Sequence, residues 1–378
     1  MDDRTERVPS RIVWIDLARA LAVLLMVQGH ALDVLLAPTY RSGLFFDVWM
    51  FVRGLVSCLF LFLAGLSFVI ASDRRLRESL HPGPRLWRRL RRLLFFFVLG
   101  YAMHFPVGRL SDLAGLSEGQ VRAFSNVDIL QLVSVSVLAL QGMLMLTRRW
   151  APFSLAAASV GAIIVLAAPA AWRIDWTEVL PIPLAAYLSS GTGSLFPLLP
   201  WAAFPMLGAV VGVLVISPAG GTDRLPAALA GLGAVMALAG WSLRHVPLDP
   251  FGPLEFWDTS PNLFLIRAGP VVMLLGVMAW ISRGASRLPA PVQALAEESL
   301  LIYFVHVCVL YGSIWNVGLA QLVGPVLDNV GVAAWTGLLF ATMLLLGWGW
   351  NACKRRRPEV AGVIRPVVML GAALVMLF

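Results

Sequence analysis

The chain has 378 residues, of which 59% are hydrophobic and only 13% charged, and it carries a formal net charge of +8. So apolar a composition excludes an ordinary soluble domain and points to an all-α, polytopic integral membrane helix bundle. The three cysteines, Cys58, Cys308 and Cys353, exclude a disulfide framework and a thiolate metal site.

About eleven apolar segments are long enough to cross a hydrocarbon core of roughly 30 Å: 12–36, 48–71, 91–108, 128–147, 153–171, 198–217, 225–243, 262–282, 298–318, 332–351 and 363–378. The basic residues alternate between their connections. With the N-terminus in the cytoplasm, the inner segments hold Arg4, Arg7, Arg11, the Arg-rich stretch 74–92, Arg148, Arg149, Arg224, Arg283, Arg287 and the run from Lys354 to Arg357. Outer connections hold only Arg41, Arg109, Arg122, Arg173 and Arg244, which satisfies the positive-inside rule. Topology and anionic lipid therefore account for the net charge, and nucleic acid is not needed as a partner. We expect one domain over 1–378, in a multi-pass orientation.

The first segment carries Asp16, Arg19 and His30 within an arc of about 60°, with Asp33 beside it. Ionisable groups inside a span mark a functional site by default. Asp16 and Arg19, at i and i+3, also suit a local ion pair, whereas nothing in its own helix accounts for His30. The second segment ends at the basic stretch, where Arg85, Arg88, Arg89 and Arg92 share a helical face. Positive-inside anchoring explains that cluster, and so does binding of a ligand's phosphates by guanidinium groups.

The third segment ends at His104-Phe105-Pro106; Asp128 and Gln131 then open the fourth, followed on the same side by Ser134 and Gln141. The long connection 172–197 is rich in aromatics and hydroxyls, which suits a sugar-like acceptor and equally a lid that seals the bundle. It runs into Phe196-Pro197-Leu198-Leu199-Pro200-Trp201. The connection 244–261 carries His245, Asp249, Glu255 and Asp258, and Arg267 just beyond needs a counter-charge from Asp258 or Asp128. In the ninth segment Ser299, Tyr303 and His306 lie within about 60°, a second polar stripe expected to face the first. The five histidines show no close pairing in sequence, so no metal is expected.

The pattern Asp16-Leu17-Ala18-Arg19-Ala20 followed by Met26-Val27-Gln28-Gly29-His30 resembles the opening of the bacterial heparan-alpha-glucosaminide N-acetyltransferase catalytic-domain family, within the wider transmembrane acyltransferases. Phe60 to Gly65, Val127-Asp128-Ile129-Leu130-Gln131, Pro200-Trp201 and Glu298-Ser299 to His306 follow in the family's order. Arg19-Ala20 stands where the family has Arg-Gly, and animal lysosomal members carry Asn where His30 stands. In that respect the chain is similar to the acyltransferase-3 branch, whose catalytic histidine also closes the first helix.

The resemblance implies transfer of an acetyl or other acyl group from cytoplasmic acetyl-CoA to an extracytoplasmic glycan or amino sugar, in the inner membrane of a bacterial-type cell. It implies His30 as the catalytic residue, either as general base or as a covalent acyl-imidazole, with Asp33 orienting it. Asp16, Arg19, Arg88 and Arg92 are expected to bind the donor; Asp128, Gln131, Trp201, Ser299, Tyr303 and His306 are candidates for the acceptor. Acceptor identity and homodimerisation stay open. A transporter or lipid flippase would also place charges on facing helices, but no internal repeat or pair of broken helices is evident in the sequence. Ser190→Cys is expected to react with an impermeant thiol reagent in intact cells; reaction only after rupture would invert the orientation.

Overall fold

The computed structural model describes residues 12–108, 110–244, 256–313 and 315–364. Arg4, Arg7, Arg11, Arg109, His245, Asp249, Glu255 and nearly all of the final apolar segment lie outside these residues. Every named element among them is helical. The main helices are α1 (Val13–Leu35), α2 (Leu44–Asp73), α3 (Pro84–Met103), α4 (Glu118–Ser125), α5 (Ile129–Thr147), α6 (Trp150–Ala171), α7 (Ala203–Ile216), α8 (Leu225–Leu243), α9 (Pro261–Ile281), α10 (Ala290–Glu297), α11 (Ser299–Tyr311) and α12 (Asn329–Arg356).

Among the described residues eight helices are long and apolar enough to cross a membrane, namely α1, α2, α5, α6, α8, α9, α12 and α7 together with the turn Leu198–Trp201 before it. The pair α10 and α11, bent by 77° at Glu298, makes a ninth if taken as one broken span. The third expected segment forms α3, whose first half is too rich in Arg to join this set. The protein is thus an all-α polytopic bundle. Its lipid face is visible in stripes of exposed Leu155, Ile163 and Leu166 on α6, Val235 and Leu238 on α8, and Leu338 and Leu345 on α12. Stripes of that size on a water-soluble surface would drive association.

Helix ends are closed by local chemistry. Asp128 caps α5 in a reciprocal box with Gln131, and the Asp328 side chain accepts from the Gly331 N–H at 2.7 Å to start α12. The Arg41 guanidinium donates to the carbonyls of Asp33 and Leu36 at the end of α1, where the helix dipole favours a cation.

Contacts between connections define two ends. At one, Trp150 donates to Asp73, Gln141 to the Ser79 carbonyl and Arg283 to the Asp223 carbonyl. At the other, the Ala37 N–H donates to the Leu327 carbonyl and the Leu327 N–H to the Leu35 carbonyl, Val127 donates to Ser194, and the hydroxyls of Tyr101 and Tyr187 meet at 3.0 Å. The stretch 172–197 folds onto this second end; the indole N–H of Trp172 bonds the Leu199 carbonyl and that of Trp176 the Ala171 carbonyl.

Helices α2 and α7 cross closely. A Cβ on Gly65 would lie 1.9 Å from the Pro205 carbonyl oxygen, and one on Gly208 would lie 2.0 Å from that of Phe62. Backbone cannot yield as a flexible side chain can, so Gly208→Ala is expected to cost about 1–3 kcal/mol by overpacking. Gly231→Ala on α8, where a Cβ would meet nothing within 4 Å, is the matched control. Thermal unfolding in detergent compares them, and equal melting of the two variants would contradict the tight crossing.

Candidate active site

Helix α1 lies at the centre of the bundle, packed against α2, α9, α10, α11 and α12. Its polar stripe therefore meets protein instead of lipid. His30, near the C-terminal end of α1, places Nδ1 2.9 Å from Nε2 of His306 on α11. The two rings are within 10° of parallel, and the Tyr311 ring stands edge-on to His30 at 5.7 Å. His306 is fully buried, and its Nδ1 lies 2.7 Å from the Ile302 carbonyl oxygen. The two polar stripes expected from the sequence thus meet through these histidines.

A second network adjoins the first. The Asp128 carboxylate accepts from the Ile129 N–H at 2.6 Å and from the Tyr303 hydroxyl at 3.0 Å, and it lies 3.3 Å from His104 Nε2. Burial would lift this carboxyl, which sits one residue before its span, but the bonds from His104, Ile129 and Tyr303 outweigh burial and hold it below the usual carboxylate range. The Tyr303 ring packs against His306 at 5.9 Å and 68°, so Asp128 stands one ring away from the histidine pair. An open cavity of about 370 Å³ lies against His104 and Tyr311 and is lined further by Phe105, Asn316 and Gln321. A second cavity, of about 270 Å³, lies among Arg122, Trp172, Trp176, Ser189 and Thr192 of the folded-over connection. Within that connection, burial pushes the Tyr187 phenol above its ordinary range, and the bond to Tyr101 adds to the shift.

The other expected residues fall in different places. Asp33 is paired with Arg53 of α2, not with His30. Gly29 leaves room for this, since a Cβ there would come within 3.3 Å of the Arg53 side chain as it crosses α1. Asp16 and Arg19 form a 3.1 Å ion pair, and Arg19 also donates to Ser67 of α2 at 3.0 Å. Among the arginines of α3, Arg85 and Arg89 turn inward: Arg85 donates to the Ala71 carbonyl, and Arg89 to Gln141 and Ser72. Arg88 and Arg92 are exposed at this same end.

Gln131 is buried and accepts from the Asp128 N–H, a capping task. Trp201 carries the Arg267 guanidinium over its ring at 5.5 Å, while Asp128, one of the expected counter-charges of Arg267, is occupied by Tyr303 and His104. Ser299 sits beside the break before α11, seven residues and roughly 10 Å from His306. Arg53, His104 and Tyr311 were not singled out by sequence. Arg53 had a signal, since it is an isolated charge inside an apolar segment. His104 and Tyr311 come close to the site only through folding.

A bundle of membrane-spanning helices that holds a histidine pair, one member fully buried, beside a carboxylate-centred network defines a multi-pass membrane protein with a polar site in its interior. Residues 11–244, more than half of the chain, match the family described as heparan-alpha-glucosaminide N-acetyltransferase, catalytic, and the chain belongs to that family. No curated protein matches the chain. His30 lies within the matched residues and His306 beyond them. Among the described residues no cluster of His, Cys, Asp and Glu is arranged to hold a metal. Tyr303→Phe removes a bond to a half-buried carboxylate and is expected to cost about 1.5–3 kcal/mol in denaturant unfolding; an unchanged midpoint would show that the bond contributes nothing.

Proposed function

We propose that this member of the family transfers an acetyl group from acetyl-CoA, bound at the Arg-rich end, to an amine or hydroxyl of a sugar-like acceptor that enters at the histidine end. The observation that carries the reading is the placement of His30: half-buried within the bundle, bonded to a second histidine, and next to Tyr311 at the rim of the open cavity. Imidazole titrates near working pH and both accepts and returns a proton.

In this reading His30 takes the proton of the acceptor as the acceptor heteroatom bonds to the thioester carbonyl carbon. It returns that proton to the CoA sulfur as the carbon–sulfur bond breaks, so no net proton is gained or lost. Arg19 lies eleven residues before His30, about 16 Å along the helix, a span comparable to that of an extended pantetheine arm. Arg88 and Arg92, exposed at the Arg19 end, suit the phosphates of the donor. The aromatic and hydroxyl-rich connection 172–197, at the opposite end, suits a sugar. The Arg-rich end and the N-terminus face the cytoplasm of a bacterial-type cell, in accord with the bias of basic residues. All the described helices work as one domain.

The test uses the protein reconstituted in sealed vesicles, with acetyl-labelled CoA on the Arg-rich side and glucosamine or a short amino-sugar oligomer on the other. Label is expected on the acceptor, and His30→Ala is expected to lower its rate about 10²–10⁴-fold. Wild-type turnover in a folded His30→Ala protein would overturn the catalytic assignment. Transfer only when both substrates share a compartment would overturn the two-sided arrangement, and CoA-independent passage of the acceptor would favour a transporter.

A further inference from the structure

We propose that His306 is a positioning residue that locks His30 in the tautomer protonated at Nδ1, so that Nε2 of His30 is the nitrogen available to take a proton. The inference rests on His30 acting as the base. It replaces the role expected for Asp33, whose carboxylate is committed to Arg53.

The Ile302 carbonyl oxygen has lone pairs and no hydrogen, so the 2.7 Å contact to His306 Nδ1 requires the proton to reside on Nδ1. His306 is fully buried, and a charged imidazole there would lose its hydration, so it is neutral and its Nε2 is bare. That bare nitrogen lies 2.9 Å from Nδ1 of His30 and accepts from it. His30 Nδ1 then carries the hydrogen, and in neutral His30 the remaining lone pair is on Nε2. One backbone carbonyl thus fixes the proton positions on two rings.

The surroundings fit an orienting role. Near-parallel rings align the N–H of His30 with the lone pair of His306, and Tyr311 edge-on and Tyr303 on the far ring restrict rotation. The charged groups around the pair are Asp33 with Arg53 on the His30 side, and Asp128 with His104 behind Tyr303. When His30 takes a proton on Nε2, its Nδ1–H bond to His306 is retained, so charge arrives without any rearrangement of the pair. The arrangement parallels the way a buried carboxylate holds the histidine of a serine hydrolase, with a neutral acceptor in its place.

Two readouts test this in the full-length protein in detergent or nanodiscs. The first is nitrogen-15 NMR of histidine-labelled protein, with the His30 signals identified by their loss in His30→Ala. The wild type is expected to show a protonated Nδ1 and a bare Nε2 on His30. His306→Ala is expected to give a mixture of tautomers. The second readout is kinetic: His306→Ala lowers kcat by about 10²-fold, the lower end of what a placed base contributes, with little change in KM. His306→Gln, whose amide oxygen can accept from His30 Nδ1, is expected to recover part of that loss.

A wild-type His30 protonated at Nε2, or a His306→Gln protein no more active than a folded His306→Ala protein, would overturn the proposal. If His306→Ala does not fold, the wild-type tautomer and the His306→Gln rate still decide. Failure of the underlying reading looks different: His30→Ala would keep its turnover whatever tautomer the spectra reveal.

Discussion

Inside a bilayer a polar group has no water to turn to, and this single condition organises the interior of the protein. An unmatched donor or acceptor costs several kcal/mol in hydrocarbon, and the ionisable side chains around the site are held by other parts of the chain. Asp33 is held by Arg53, His30 by His306, and Asp128 by Tyr303 and His104. Each of these bonds joins different helices or a helix to a connection. Matching polar groups therefore also sets register, with α1 fixed against α2 and α11, and the start of α5 fixed against α11 and the end of α3.

The break between α10 and α11 follows from the same condition. Glu298, almost fully buried at the bend, accepts from Asn351 at 2.8 Å and pairs with Lys354. Glu297 beside it accepts from Asn351 at 2.6 Å and from Arg355 at 2.9 Å. The basic end of α12 thus clamps the two carboxylates at the bend. Beyond the 77° bend, α11 brings His306 and Tyr311 against His30 of α1, and Tyr311 also lines the cavity. A segment outside residues 11–244 supplies half of the histidine pair, so the matched part of the chain does not by itself contain the complete arrangement.

What sequence makes legible here follows helical spacing. The stripes Asp16, Arg19, His30 and Ser299, Tyr303, His306 could each be read, because a helix repeats by the same angle wherever it lies, and eight of the expected segments appear as apolar spanning helices. Pairing between helices could not be read in the same way. Asp33 is closer to His30 in sequence than His306 is, yet the rotation of α1 on α2 brings Arg53 to Asp33 and leaves His30 facing α11. Arg267 looked to need Asp128 or Asp258, but lies over Trp201, a contact that depends on how the turn before α7 approaches α9. The third apolar segment, 91–108, corresponds to the second half of α3, which begins earlier, among the arginines.

The position of His30 is then the outcome of ties at three heights along one helix. Arg19 is bonded to Ser67 near one end of α1, Gln28 accepts from Trp49 at 3.0 Å further along, and Asp33 is paired with Arg53 near the other end. The tie at the start of α1 meets the second half of α2 and the two ties further along meet its first half, as antiparallel neighbours require, and three such ties leave α1 neither free rotation nor free sliding. His30 lies between the last two and on the side turned to α11. Its ring is aimed by the way α1 is seated on α2 before His306 touches it, and the bond to His306 then selects which nitrogen of an already oriented ring carries the proton.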